Sequence, residues 1–494
     1  MSRAGWLAVA LLAGAAPASA ADDIDAGWFE SGDQALRIDL QLLSDAGVIR
    51  LPVTQWPLPR AAVVYALARA RASEATNAAV ALALDRVRAR VGKPVARYSV
   101  AVTGGNAGLT RDFDSLGRED GEVRVSAGFS SGRFAAQATL GAVTHPADDQ
   151  SLRPDGSHLS MQLGNWLVSA NTLGRWWGPG HEGSLILSNN ARPMPTLTVE
   201  RATAQAFETP WLSWLGPWRF NFALSQMESE RNDIDKPLFM AWRVVFMPFH
   251  DIELGMSRTA QFCGEQQQCK FSTFVDLLVG NDNVGIDTTS EEEPGNQMAG
   301  FDIRWNSPIG NFPYAIYSQF IGEDESSYLP AKYLGQFGLE WWKPFADGGI
   351  IQGFAEYSTT TCSELSNNGP YYNCAYNQGQ FSGEGYRYRG RVIGHTSDRD
   401  AEWYALGATY SAANGELWSA TLREARLNRD DFDDVRNTVA SVPTNYHSIE
   451  LGWAGQWAGQ KLAVQLGVQS VQPAGEDRAV DVFGFLGWRH EFGR

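Results

Sequence analysis

After its first 20 residues this sequence has no stretch approaching the roughly 18 uncharged apolar residues that a bilayer-spanning helix needs. A helical membrane protein is therefore excluded. Enzyme signatures are missing as well: there is no HExxH, no GxSxG and no phosphate-cradling GxxxxGKS/T. The seven histidines are dispersed, at His145, His158, His181, His250, His395, His447 and His490. Positive charge is in deficit, with 40 Lys and Arg against 56 Asp and Glu, a net charge of −16. Such a chain lacks the cationic surface that nucleic acid requires.

Cysteine is scarce too. Cys263, Cys269, Cys362 and Cys374 form two local pairs, CGEQQQC and CSELSNNGPYYNC. No CxxC spacing occurs and no histidine lies within either pair, which counts against a zinc site. In an exported protein two local disulfides are expected. No metal and no cofactor is expected.

Export follows from the opening residues, MSRAGWLAVALLAGAAPASA. Arg3 gives a positive flank, a short apolar run follows, and Ala18-Ser19-Ala20 is an A-x-A cleavage site. Residues 1–20 are read as a signal peptide rather than a buried helix. Three domains are expected: the signal peptide, an N-terminal helical bundle over 21–96, and a barrel over 97–494. In the second, "GDQALRIDLQLLSDAGVI" puts Leu36, Leu40 and Leu43 on one helical face. "WPLPRAAVVYALARARA" begins a helix near Pro59, and "TNAAVALALDRVRARVG" stacks Val80, Leu84, Val87 and Val91. Three short helices bury too little core to stand alone. They are expected to dock on the rest and block its periplasmic mouth.

From residue 97 the period changes to two. "EVRVSAGF", "RFAAQATLGA", "WRFNFALS" and "KLAVQLGVQ" each alternate apolar and polar residues. A β-sandwich has the same alternation with its apolar face inward. The length of these runs, about ten residues, suits tilted strands in a bilayer instead. Fifty glycines, 12% aromatics and a mean hydropathy of −0.27 fit an all-β transmembrane barrel. Tight turns are predicted at 131–132, 164–165, 248–251, 307–311, 344–349, 414–415 and 457–460, with one longer connection over 203–216. Counting around them gives about 18 antiparallel strands, both termini periplasmic, provided that 271–282 is a helix inside a loop. The last strand, "AVDVFGFLGWRHEF", ends at Phe492. Long outer loops remain near 105–120, 145–157, 175–195, 226–236, 262–296, 322–332, 359–400, 428–446 and 472–478. Both cysteine pairs fall in them.

Function is sought in these loops. They mix aromatic faces, which stack on sugar rings, with groups that bind hydroxyls and carboxylates. The candidates are Arg175, Trp176, Trp177 and His181, and a second group of Tyr386, Arg387, Tyr388, Arg389 and Arg391. Tyr328, Tyr371 and Tyr372 belong to the same loops. The bland reading of Trp176 and Trp177 is a pair of membrane-girdle anchors, but neighbours on a strand face opposite sides, so both cannot face lipid. His181 and His395 could join a carboxylate for catalysis; hydrogen-bonded structural histidines are the simpler account. Acidic runs at 291–293, 323–325 and 430–434 offer oxygen ligands for calcium but lack its spaced order, so they read as solvated charge.

One further stretch is informative. "RWWGPG" and "GSLILSNNARPMP", together with "LRIDLQLLSDAGVIRLPVTQWPL", "GEDESSYLPAK" and "YRYRGRVIGHTSDRD", resemble the Wzi-type capsule assembly family across Leu36 to Asp400. The resemblance implies an 18-stranded outer-membrane barrel with a helical bundle at its periplasmic mouth. It also implies lectin-like attachment of capsular polysaccharide without catalysis. The expected partners are exported polysaccharide and outer-membrane lipid, with the protein a monomer. A solute-specific channel is the alternative, and an outer-membrane enzyme acting on lipid or glycan the second. On the lectin reading, the stretch 174–195 folds over or into the barrel mouth, its prolines and glycines fixing its course.

Overall fold

The structure is a computed structural model. It describes residues 25–492 apart from 76, 93–97, 230, 266–268, 270–273, 275–294, 308–312, 323–324, 327–328, 331, 365–368, 377–383 and 431–436. Residues 1–20, expected to be a signal peptide, lie outside the described residues, as do Tyr328, the first acidic run, most of the other two and nearly all of 271–282.

The alternating runs form a closed antiparallel barrel of 18 strands. They are β1 (Tyr98–Asn106), β2 (Gly121–Ser131), β3 (Phe134–Thr144), β4 (His158–Leu163), β5 (Trp166–Asn171) and β6 (Thr196–Arg201). Next come β7 (Trp218–Gln226), β8 (Leu238–Phe246), β9 (Ile252–Phe262), β10 (Gly295–Asn306), β11 (Tyr314–Gly322) and β12 (Lys332–Pro344). The last six are β13 (Ile350–Glu364), β14 (Glu402–Ser411), β15 (Leu417–Leu427), β16 (Thr444–Trp457), β17 (Gln460–Pro473) and β18 (Ala479–Phe492). β18 closes on β1, with Phe492 opposite Tyr98. The described turns fall where the sequence puts them, while most of the one predicted at 307–311 lies outside the described residues, and the long connection 203–216 joins β6 to β7 at the short-turn end.

Burial decides between barrel and sandwich. Val125 and Leu140 are 50% and 58% exposed, while Arg219 and Arg243 are fully buried. The apolar face points outward to lipid and the polar face inward, the reverse of a sandwich. The length argument holds less evenly, because β4, β5 and β6 have 6 residues each.

The helices are α1 (Gln34–Asp45), α2 (Arg60–Ala68) and α3 (Ala78–Val91). The Asp33 carboxylate caps α1 by accepting from the Leu36 amide, and Asn77 caps α3 by accepting from Val80. Pro59 precedes α2 as its cap, one place earlier than expected. Leu36, Leu40 and Leu43 face a core shared with Val80, Leu84 and Val87. Barrel residues Trp342, Ile350 and Leu417 complete that core. The polar side of α1 is just as buried, because it meets the polar barrel wall. Gln41 donates to Glu340 of β12 at 2.7 Å, and Asp45 pairs with Arg304 of β10 at 2.7 Å. These contacts lie near the ends of β10 and β12 that lead into short turns. The helices thus sit at the short-turn end, the periplasmic end of outer-membrane barrels.

Candidate functional site

The stretch 174–195 runs through the barrel interior. Trp176 and Trp177 form a two-residue antiparallel ladder with Gln55 and Trp56, which lead into α2. Both tryptophans are fully buried, so neither is a lipid anchor. Phe113, from the outer loop 107–120, packs edge-on against Trp56 and Trp176 with centroids at 5.6 and 5.3 Å. Arg37 of α1 stacks over Phe113 at 4.5 Å and donates to the carbonyls of Pro179 and Gly180. An N-terminal segment, an outer loop and the 174–195 loop therefore meet inside one barrel.

Barrel-wall side chains take up the loop's backbone polar groups. Gln319 of β11 donates to the Trp177 carbonyl and accepts from the Leu185 amide, both at 2.8 Å. Glu356 of β13 accepts from the His181 amide at 2.7 Å, and Gln336 of β12 donates to the Gly183 carbonyl. These are charged or amide residues at the inward positions of period-two strands. Buried backbone polar groups need such partners, and an irregular loop supplies few of its own.

His181 sits against Glu340, with Nε2 to Oε1 at 2.7 Å, and stacks on Phe354 at 4.4 Å. Glu340 is also held by Arg304 at 2.6 Å. His395 is fully buried and contacts Ser397 through Nδ1 at 2.8 Å. Burial pushes its pKa down to about 3, so the ring is neutral at ordinary pH. The sequence weighed both histidines as partners of a carboxylate. His181 has one, in a closed network, and His395 has a serine at Nδ1.

Arg175 donates to Asn171 at 3.1 Å and to Thr198 at 2.8 Å on the inner wall. The other candidate group lies nearer the outer end. Arg387–Tyr388 and Arg391–Val392 form a miniature hairpin. Its turn, Arg389-Gly390, has φ of +49° and +71°, the left-handed pair that a two-residue hairpin demands. Tyr386 is buried, its hydroxyl 2.9 Å from the Ile186 carbonyl. Arg387 is buried in an ion pair with Asp398. Tyr388 is buried, with the Arg389 guanidinium 5.5 Å from its ring. Arg389 and Arg391 are half-exposed. Of the nine candidates, then, Arg175, Arg389 and Arg391 reach solvent in part, while the rest are packed among wall and loops.

Both cysteine pairs form disulfides as expected, Cys263–Cys269 in the loop after β9 and Cys362–Cys374 from the outer end of β13 to the loop that follows it. Sequence reasoning overlooked Phe113 and Arg423. Arg423 of β15 pairs with Glu182, with Asp112 at 2.8 Å and with Glu450 at 3.0 Å, linking two loops to the wall. A lone charge at an inward strand position was the available signal.

The family of the capsule assembly protein Wzi matches residues 89–476. The chain belongs to the Wzi capsule assembly family. A relative from Klebsiella pneumoniae, described as an uncharacterized 55.8 kDa protein in the cps region, is 30% identical over 429 residues. That match covers 86% of this chain and 82% of the relative. The solved structure of Wzi from Escherichia coli aligns with a TM-score of 0.82 at 25% identity, covering 95% of this chain and all of that one. It is described as an outer-membrane protein involved in group 1 capsule assembly and as a carbohydrate-binding β-barrel. This member of the Wzi family is likewise an outer-membrane β-barrel.

Proposed function

We propose that the protein binds capsular polysaccharide at its outer, loop-covered end and helps attach it to the cell surface. Family membership supports this, as does the carbohydrate binding of the Escherichia coli relative. The observation that carries it is the loop 174–195 inside the barrel, hydrogen-bonded to β11, β12 and β13 and laddered to the N-terminal segment. A lumen occupied in this way favours a surface for holding polymer over a conduit for solute. On this reading residues 21–96 close the periplasmic end and the barrel acts as a monomer, in lipid, without catalysis.

The hairpin 387–392 is the contact we favour. Arg389 and Arg391 offer guanidinium forks, and the buried Tyr388 ring supports them. Tyr386, Arg387, His181, Trp176 and Trp177 hold these contacts in position from beneath, and Arg175 does so from the inner wall. Binding of the purified protein to short oligosaccharides, with capsule retention on whole cells, tests the reading. Losing one stacking or charge-assisted contact typically removes about 1–3 kcal/mol, or tenfold to hundredfold in affinity. Tyr388→Ala with Arg389→Ala should lose that much and shed capsule into the medium, while the barrel still resists unfolding in detergent. A folded variant that holds both ligands as the parent does would move the site elsewhere. Multivalent contact with polymer softens the loss, so the oligosaccharide is the sharper probe.

A further inference from the structure

Three arginines reach one place from two outer loops. Arg111 and Arg118 come from the loop after β1, and Arg391 from the hairpin above. They line one small recess, whose wall also includes Gln465, Phe483 and Glu450 of the barrel. None of the three forms a salt bridge among the described residues. Arg111 donates to the carbonyls of Ser115 and Gly117, and Arg118 to those of Asn189, Asn190 and Ala191. The Arg391 guanidinium makes no hydrogen bond among the described residues. Arg111 is 8% exposed and its Nε has no partner.

The nearby carboxylates are already taken. Glu119 is held by Arg153 at 2.6 Å, Asp155 by Arg192 at 2.9 Å, and Asp398 by Arg387. Glu450, the one carboxylate on the recess wall among the described residues, pairs with Arg423 at 3.0 Å. Burial first, and then mutual repulsion, holds Arg111 well below the usual guanidinium range. Arg118 is lowered to about 10, chiefly by burial, and Arg391 is lowered for the same reason. In a chain of net charge −16, three cations left facing one another cost free energy unless an anion joins them.

We infer that Arg111, Arg118 and Arg391 form a binding site for a carboxylate carried by the polysaccharide, making the protein a receptor for acidic sugars. This rests on the function proposed above and narrows its substrate class. The recess has about 20 Å³ of room, enough for a water-sized group at about 10–15 Å³ but not for a sugar ring. The carboxylate oxygens therefore enter it and the ring stays outside. Guanidinium forks suit such a flat, two-oxygen anion. Arg118 and Arg391, both half-exposed, form its approach.

The probe is short oligosaccharide cut from the extracellular polysaccharide of the strain that carries the gene, used native and after chemical reduction of its carboxylates to alcohols. The native form should bind the full-length detergent-solubilised protein at least tenfold more tightly than the reduced form. Arg391→Gln, which removes a guanidinium with no hydrogen bond or salt bridge among the described residues, should shrink that difference by weakening the native form far more than the reduced form. Arg118→Lys keeps the charge but loses the fork, and should fall between. Millimolar inorganic phosphate should compete with the native form on the parent and not on Arg391→Gln. Equal binding of native and reduced forms overturns the inference but leaves the polysaccharide reading standing. So does phosphate that binds without displacing oligosaccharide, or a polysaccharide without carboxylates. Binding of neither form counts against the polysaccharide reading itself.

Discussion

Trp176, from a loop that starts and ends on the outer side, stands directly across a backbone ladder from Trp56, which belongs to the N-terminal segment. The pair joins the two ends of the barrel through its middle. Burying two indoles there, with Phe113 edge-on to both, concentrates much of the plug's apolar contact at one level.

Trp176→Ala should therefore loosen the plug without opening the wall. Truncating a buried tryptophan costs about 3–5 kcal/mol. Planar-bilayer recordings should find the parent nearly silent and the variant flickering. A chain without residues 21–96 should conduct more steadily, since an 18-stranded barrel otherwise leaves an aqueous channel. Large steady currents from the parent would sink the plug and promote the channel reading.

Arg423 should matter more than any surface arginine. It answers Glu182, Asp112 and Glu450 at once, and removing it leaves three carboxylates without their cation. Breaking a buried pair costs about 3–5 kcal/mol. Arg423→Gln should make the loops near 112 and 182 sensitive to protease at temperatures where the strands stay intact. Unchanged cleavage would mean that water reaches these carboxylates.

Gly183 lies against a ring that cannot step aside. A Cβ there would stand 2.2 Å from Cδ2 of His395, which is fully buried. Gly183→Ala should cost about 1–3 kcal/mol through overpacking, read as faster hydrogen exchange in both loops. Gly369→Ala, with nothing within 4 Å of its Cβ, is the silent control.

Acid should loosen the same region through His395. Its pKa falls from 6.5 to about 3 on burial. Between those values the opened loop takes up a proton that the closed loop refuses. The stabilisation is complete above about pH 6.5 and is lost as pH falls toward 3, at about 1.4 kcal/mol per unit. Glu182, raised to about 7, and Asp400, raised to about 6, work in the opposite sense as they protonate. Comparing the parent with His395→Phe isolates the histidine. Protection in 385–400, taken relative to the intrinsic exchange rate at each pH, should fall from pH 7 to pH 4.5 in the parent and change less in the variant. Equal pH dependence would assign the effect to the carboxyl groups.

The strand count, the turns, the helices and the cysteine pairs were legible in the sequence because each rests on local rules. Period two, tight-turn residues and helical spacing act over a few positions, and Leu36 or Val125 announces its face to a reader of its neighbours. The depth of Trp176 was not legible in that way. A paired tryptophan between glycines and prolines reads the same at a lipid interface, at a sugar site or in a packed plug. Only the barrel's closure brings Trp56, Phe113 and Trp176 together from three distant segments. Arg111, Arg118 and Arg391 are likewise 280 positions apart at the extremes, and nothing local says that their neighbouring carboxylates are spent on Arg153, Arg192 and Arg387. Pattern reveals which side of a strand is polar; the partner that satisfies a buried charge depends on the fold, because electrostatic pairing acts through space and not along the chain.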